Sequence, residues 1–299
     1  MGGGRGCRPR QRPLRVVHAY RGPMMWDPLA GGVVTACDAG AQAAAELVVA
    51  DAVAHARRVT PEIEITSRLV VAGAAPALLR EAQDAAVVVL GCRGLRWVAG
   101  LLAGSVGVSV TAHAPCPVVV VRPYATVPPG PSAARVVVGV DGCALSADAV
   151  DVAFQAAAQR GLGLTAVHAW TPPGPIDLTP SPTTSTAPNR SIDGPWTPRC
   201  SPGKERYPGV EVRPKLVRAH PGRALVTESA GAALLVVGSR GRGSLREMVL
   251  GSVSQTVLPQ AACLVTVVRP RTPTARTLGR CAATASPITR SSPFSQPSL

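Results

Sequence analysis

The chain repeats itself, and the repeat limits what it can fold into. LRVVHAYRGP (14–23) is answered by LTAVHAWTPP (164–173), VVVLGCRG (87–94) by LLVVGSRG (234–241), and APCPVVVVRP (114–123) by AACLVTVVRP (261–270). The offsets are 150, 147 and 147 residues, so the order and nearly the spacing are kept. Ordered self-similarity marks a tandem duplication of one unit, and 299 residues suit two domains. The expected layout is a basic, disordered N-terminus at 1–13 and a first unit at 14–122. A Pro-rich linker at 123–134 leads to a second unit at 135–270, followed by a disordered tail at 271–299.

The second unit reads as alternating strand and helix. RVVVGVD (135–141) is an apolar run of strand length, as for a strand buried on both faces. Ser146 is placed to cap the helix that follows, with Asp148 in its first turn. Val150, Phe154 and Ala157 recur at helical spacing, and Gly161 is the stop. LTAVHAW, VEVRPKLV (210–217), the helix GRALVTESA (222–230), LLVVGS (234–239), a helix from Ser252 and a last strand at 263–268 complete the unit. Such alternation predicts a parallel sheet with right-handed crossovers. Aromatic residues are only 3% of the chain, so the cores must be built from Val, Ala and Leu.

Each copy is incomplete in its own way. LRVVHAY in the first unit corresponds to the second strand of the second unit, and nothing upstream resembles RVVVGVD. The first copy therefore lacks its first strand, which would be the centre of its sheet, and buried N–H and C=O groups lose their partners. A start codon assigned too far downstream would account for the gap. The rest of the unit is expected intact, with a helix over roughly 36–59 and a short helix from Pro76. In the second unit, nine prolines between Trp170 and Tyr207 replace the long Ala-rich helix of the first. That density forbids a helix, so 171–206 is expected to be a disordered insertion.

The same glycine spacing occurs in both copies: Gly, two residues, Gly, nine residues, Gly-Ser. In the second unit these are Gly238, Gly241, Gly251 and Ser252; in the first, Gly91, Gly94, Gly104 and Ser105. The first glycine ends a strand, and the second lies in a turn where positive φ carries no Cβ penalty. Gly-Ser then opens a helix. Loop N–H groups and the helix N-terminus thus face one crevice at the carboxyl ends of the strands, which favours an anion such as phosphate. Neither GxxxxGK[ST] nor a GxGxxG after the first strand is present, which excludes a Walker loop and the usual dinucleotide fingerprint. A glycine turn with a serine cap is the plain alternative for one copy. Two copies with one spacing argue for a ligand.

The net charge of +14 sits mostly at the ends: residues 1–21 and 248–299 hold eleven of the 31 basic residues and no acid. The interior is nearly balanced and no aromatics interleave the basic ends, so no specific nucleic-acid site is expected. Eight cysteines show no CxxC pair or Cys/His cluster, which argues against a zinc site or a disulfide scaffold and for a reducing cytoplasm. His18 and His168 occupy equivalent strand ends and read as structural. The N-terminus lacks the apolar core of a secretory signal, and the most apolar stretch, 87–110, contains Arg93 and Arg96, so no membrane span is expected.

With these motifs the sequence resembles a tandem universal stress protein of the nucleotide-binding type. Gly-x2-Gly-x9-Gly-Ser after an apolar strand is that family's hallmark. VVVGVDGC resembles its opening strand, with Cys143 where Ser is common, and HAW and APCPVVVVRP match as well. The resemblance covers most of 14–122 and 135–270. It implies tandem Rossmann-like α/β units (adenine nucleotide alpha hydrolase-like), each a parallel five-stranded sheet of order 3-2-1-4-5, that bind ATP with or without Mg2+. By resemblance, Asp141 holds the ribose or adenine end beside Gly139 and Val140, and Ala169 contacts adenine through its backbone. Gly238, Gly241 and Gly251 cradle phosphates, and Ser252 and Ser254 bond to them with Val253 between. In the first unit Ala19, Gly91, Gly94, Gly104 and Ser105 match, Gly107 replaces the second hydroxyl, and Asp141 has no counterpart. The family also implies dimer-like pairing through the last strands, within the chain or in a homodimer. No nucleophile or general base stands out near the glycines, so a binding protein of stress response is expected rather than an enzyme. The alternative is an interaction module of the same fold whose glycines are only turns.

Overall fold

The computed structural model describes residues 12–22, 24–27, 29, 32–35, 39–91, 105–122, 135–143, 146–171, 203–241 and 250–270. The disorder expected for 1–11, most of the Pro-rich insertion and 271–299, and the linker itself, lie outside these residues. The first unit runs β1 (Leu14–Tyr20), β2 (Met24–Asp27), β3 (Gly32–Thr35), α1 (Ala39–Val59), β4 (Ile65–Val71), α2 (Ala74–Glu81), β5 (Val88–Gly91), α3 (Ser105–His113) and β6 (Val118–Val121). The second runs β7 (Val136–Gly139), α4 (Ala147–Arg160), β8 (Leu164–Trp170), β9 (Val212–Arg218), α5 (Pro221–Glu228), β10 (Leu234–Gly238), α6 (Ser252–Gln260) and β11 (Leu264–Val268). No helix among the described residues is long and apolar enough to cross a membrane.

Val-rich runs become buried strands because both of their faces are covered. One seven-stranded sheet has the order β5-β6-β11-β10-β7-β8-β9. All its ladders are parallel except β6–β11, which is antiparallel. Residues alternate between two cores. Val136, Val138, Leu234 and Val236 pack under α4 with Phe154 and Ala153. Val137, Leu235 and Val237 point the other way and join Leu225, Val257 and Leu258. Gly139 lacks a Cβ for a packing reason, since one there would lie 2.8 Å from Leu225 Cδ1. Helix α4 ends at Gly161 in the left-handed region, φ 63°, as expected of a glycine stop. Ser146 takes the N-cap position, but its hydroxyl makes no cap bond and donates instead to the Cys143 carbonyl at 2.9 Å.

The first unit does not form a sheet of its own. β1 and β4 pair in parallel as a separate two-stranded sheet, while β5 and β6 belong to the seven-stranded one. In the second unit β7 joins β8 to β10; among the described residues of the first unit no strand lies between β1 and β5. Helix α1 is described from Ala39, the expected start near 36 lying outside the described residues, and an antiparallel hairpin of β2 and β3 precedes it. Sequence patterning gave no sign of that hairpin. One ion pair survives in both copies. Arg68 meets Glu81 at 2.6 Å and, 147 positions on, Lys215 meets Glu228 at 2.7 Å, each tying a strand to the next helix.

The two units join through β6 and β11, with Val118, Val119 and Val120 opposite Val267, Thr266 and Val265. One core runs across the junction and includes Val110, Ala112 and Val118 from the first unit with Val257, Cys263 and Val265 from the second. The Arg-Pro that follows each last strand explains itself here. Arg122 donates to the Leu258 carbonyl at 3.3 Å, and Arg269 donates to the His113 carbonyl at 3.0 Å. Each arginine reaches across the junction to the last turn of the other unit's helix, where unpaired carbonyls and the dipole favour a cation. Arg122→Ala and Arg269→Ala should each destabilise the chain by about 1 kcal/mol in urea unfolding, and Arg→Gln should restore little because the charge is lost.

Cys116 and Cys263 sit at equivalent places beside this junction, both buried as free thiols. Burial pushes both thiols up, Cys263 to about 11. The folded thiol stays neutral while the unfolded one titrates near 9. Its contribution is therefore complete below pH 9 and is lost as the pH rises through 11. Between pH 8 and 11 the parent should lose about 2 kcal/mol more stability than Cys263→Ala, read from urea unfolding at the two pH values.

Candidate functional site

β7 and β10 lie side by side in register, Val136–Val138 opposite Leu234–Val236. Their carboxyl ends lead to Asp141 on one side and to Gly238–Gly241 on the other. Open α/β sheets bind their ligands at this place. The Asp141 carboxylate accepts the Cys143 N–H at 3.0 Å through Oδ1, and the Cys143 thiol donates to Oδ2 at 3.0 Å. Gly142, at φ 75°, makes this tight turn. The carboxylate also faces the glycine loop: a Cβ on Gly241 would lie 3.0 Å from Asp141 Oδ2.

That contact corrects one expectation. Gly241 does not take a positive φ. What it needs is close approach of its backbone to Asp141, and positive φ falls on Gly142 instead. Gly251 is crowded in the same manner. A Cβ there would lie 3.4 Å from Arg240 Cα and from the Ser239 oxygen, and 3.7 Å from the Gly241 nitrogen. Its N–H donates to the Ser239 carbonyl at 2.9 Å. The glycines at the two ends of the nine-residue spacing are therefore brought together in space; residues 242–249 between them lie outside the described set.

Helix α6 starts from Gly251 as an extended N-cap with no side-chain cap bond. The N–H groups of Ser252, Val253 and Ser254 belong to its first turn, where no intrahelical acceptor exists. Ser252 is exposed and Val253 half-buried. Ser254 differs from expectation: its hydroxyl is buried and donates to the Gly238 carbonyl at 2.7 Å. That bond pins the helix to the end of β10, so only the Ser254 backbone remains for a ligand. Ser239, which sequence reasoning passed over, is buried, and its hydroxyl has no hydrogen-bond partner among the described residues. The available signal was its position between the first two glycines.

The far end of the crevice is formed by β8. Val140 N–H donates to the Val167 carbonyl at 2.9 Å, the last rung between β7 and β8. Alternate residues of a strand direct their backbone groups to the same side, so Ala169 faces the β7 side beyond the point where β7 stops. His168 Nδ1 lies 2.7 Å from the Val140 oxygen and fixes that strand end, a structural role. Asp141, Gly238, Gly241, Gly251 and the start of α6 thus meet at the carboxyl ends of β7 and β10, with Ala169 at the end of the neighbouring β8, whereas Val140 is buried in the core with Phe154 and Gly139 packs against Leu225.

Among the described residues of the first unit no comparable site is assembled. Gly91 ends β5 in an exposed position, and a Cβ there would meet nothing within 4 Å. Gly94 and Gly104 lie outside the described residues, and α3 begins at Ser105. Ala19, on β1, belongs to a different sheet from Gly91. Among the described residues no group of three or more His, Cys, Asp or Glu side chains could hold a metal ion.

The model of the Universal stress protein family matches residues 7–122 and again 133–269. The chain belongs to the universal stress protein family. It is 40% identical over 215 residues to Universal stress protein Rv2623 of Mycobacterium tuberculosis, covering 69% of this chain and 68% of that protein. It is 37% identical over 268 residues to Universal stress protein Rv2005c of the same organism, covering 87% of this chain and 88% of that protein. A universal stress protein from Archaeoglobus fulgidus has a similar fold at a TM-score of 0.57 and 22% identity, over 77% of this chain and 79% of that one. Two family matches in one chain agree with the duplication read from the sequence. For this universal stress protein the site geometry makes a simple prediction. Ser239→Ala removes an unpartnered buried hydroxyl and should raise stability by about 1 kcal/mol in urea unfolding; a loss instead would mean that the hydroxyl is bonded.

Proposed function

We propose that the chain is a stress-response protein that binds an adenine nucleotide, ATP with or without Mg2+, in its second unit. The observation that carries this reading is the convergence of Gly241, Gly251 and the N-terminus of α6 opposite Asp141 at the carboxyl end of the sheet. Phosphate oxygens would lie against the first-turn N–H groups of Ser252, Val253 and Ser254, approached closely because Gly241 and Gly251 carry no Cβ. The unpartnered Ser239 hydroxyl at the start of the loop fits a polar ligand in this crevice. Asp141 would take the ribose or adenine end with Ala169 offering backbone groups. The nucleotide supplies its own charge and base for recognition.

We read the site as binding rather than turning over its ligand. The carboxylate nearest the loop is already bonded to Cys143, and the Ser254 hydroxyl is committed to Gly238, which leaves backbone donors as the main chemistry. Free thiols at Cys116 and Cys263 suit a reducing cytoplasm. For the first unit the interaction-module reading is the better one: its glycine end at Gly91 is open, and its last strand is used for pairing with the second unit.

Calorimetric titration with ATP tests this. The parent should bind ATP at one site, Gly241→Val should weaken binding at least tenfold, and Gly91→Val should leave it unchanged. Equal binding by the parent and Gly241→Val, with both folded by circular dichroism, would remove the site from the second unit. No binding of any adenine nucleotide would favour the interaction module for the whole chain.

A further inference from the structure

The end of β8 departs from a regular parallel ladder. Leu164 and Ala166 lie in the core beneath α4, so by alternation His168 stands on that same face of the sheet. The backbone groups of Val167 and Ala169 lie in the sheet plane on the β7 side, since the Val167 carbonyl accepts the Val140 N–H at 2.9 Å. In a regular ladder the next rung is then fixed: the Val140 carbonyl accepts from the Ala169 N–H. Here that carbonyl meets the His168 ring, with Nδ1 at 2.7 Å. Among the described residues no bond runs from the Ala169 N–H to the Val140 carbonyl.

The chemistry of this exchange is defined. A carbonyl oxygen only accepts, so Nδ1 carries the proton, and in the neutral ring Nε2 keeps its lone pair. Facing a ring on the α4 side turns the Val140 carbonyl out of the sheet plane, and β7 stops at Gly139 in step with this. The ladder between β7 and β8 therefore ends one rung early, its last paired positions being Gly139 and Val167. Ala169 is left with an N–H and a C=O side by side, directed to the place where β7 has stopped and Asp141 follows. An unpaired strand N–H is costly unless water or a ligand meets it.

We propose that His168 is a positioning residue of the nucleotide site: by taking the Val140 carbonyl it keeps the Ala169 N–H free for the base. The inference rests on the nucleotide reading above and adds a residue to it. A donor and an acceptor side by side match the 6-amino edge of adenine, where N1 accepts and the amino group donates. Hypoxanthine reverses that edge, because its N1 carries hydrogen and its O6 accepts. Ala169 therefore discriminates between bases, whereas Gly241, Gly251 and the start of α6 serve the phosphates. His168 acts through Ala169.

Two measurements on the full chain test this. Amide exchange at Ala169, read by NMR, should be fast in the parent, slowed by ATP and much less affected by inorganic triphosphate. Calorimetry should show His168→Phe binding ATP about tenfold more weakly than the parent, with its affinity for inosine triphosphate unchanged, because only a base contact is lost. In this variant the Ala169 amide should be protected without nucleotide, as the rung to Val140 forms. His168→Asn, whose amide nitrogen stands near the Nδ1 position and donates to the same carbonyl, should restore ATP binding. His18→Phe, at the equivalent place in the first unit, should leave ATP binding unaltered. The inference is overturned if the parent's Ala169 amide is already protected without ligand, a result that needs no variant. It is equally overturned if His168→Phe binds ATP as the parent does, or loses ATP and inosine triphosphate alike. A parent that binds neither nucleotide overturns the nucleotide reading together with this inference, whereas a parent that binds ATP beside an unaltered His168→Phe overturns this inference alone.

Discussion

The antiparallel pairing of β6 with β11 is the interaction on which the rest of the molecule depends. It is the only antiparallel ladder of the seven-stranded sheet, and it joins two copies of one unit back to back. Valines on both strands bury a shared core, and Arg122 and Arg269 close it by reaching to opposite helices at equivalent points. A unit without a central strand gains little from its own backbone. Anchoring β5 and β6 to the edge of a complete partner sheet gives those strands the hydrogen bonds they cannot find at home. The same edge strand in a universal stress protein that stood alone would be an unpaired and aggregation-prone surface.

From that anchor the asymmetry of the two units follows. Five strands of the second unit and two of the first make one continuous sheet, whereas β1 and β4 are tied to it by α2, which packs on β1 and α3 and carries the Glu81 of the Arg15–Glu81–Arg68 bridge. Position 141 brings a carboxylate to the glycine loop because β7 exists to carry it there. The first unit retains the glycine at the end of β5, but among the described residues no strand delivers a partner to face it. Among the described residues Val87 and Val89 are exposed where their counterparts Leu234 and Val236 lie in the core under α4.

Much of this was legible in the sequence, for identifiable reasons. The duplication, the strands of the second unit and the stop at Gly161 follow from apolar runs and from glycine chemistry, which are local. The absence of a first strand was visible because the repeat supplied a template. Three things were not visible. The β2–β3 hairpin has no alternating pattern strong enough to announce it. The role of Gly241 depends on how near Asp141 comes, a contact between residues a hundred positions apart. Ser254 looked like a ligand group because hydroxyls at helix starts so often are, and only packing shows that its bond to Gly238 already uses it.

The glycine spacing itself illustrates what a motif can carry. Nine residues separate Gly241 from Gly251, yet the two backbones touch, because the loop must return to open α6 beside the strand it left. The spacing encodes that return, and the glycines permit it. Neither encodes the opposite wall of the crevice, which comes from β7 and the end of β8. The first copy separates the two contributions: it keeps the spacing and lacks the wall. A motif of this type therefore specifies a backbone cradle, and the nucleotide site proposed for this universal stress protein needs the central strand as much as it needs the glycines.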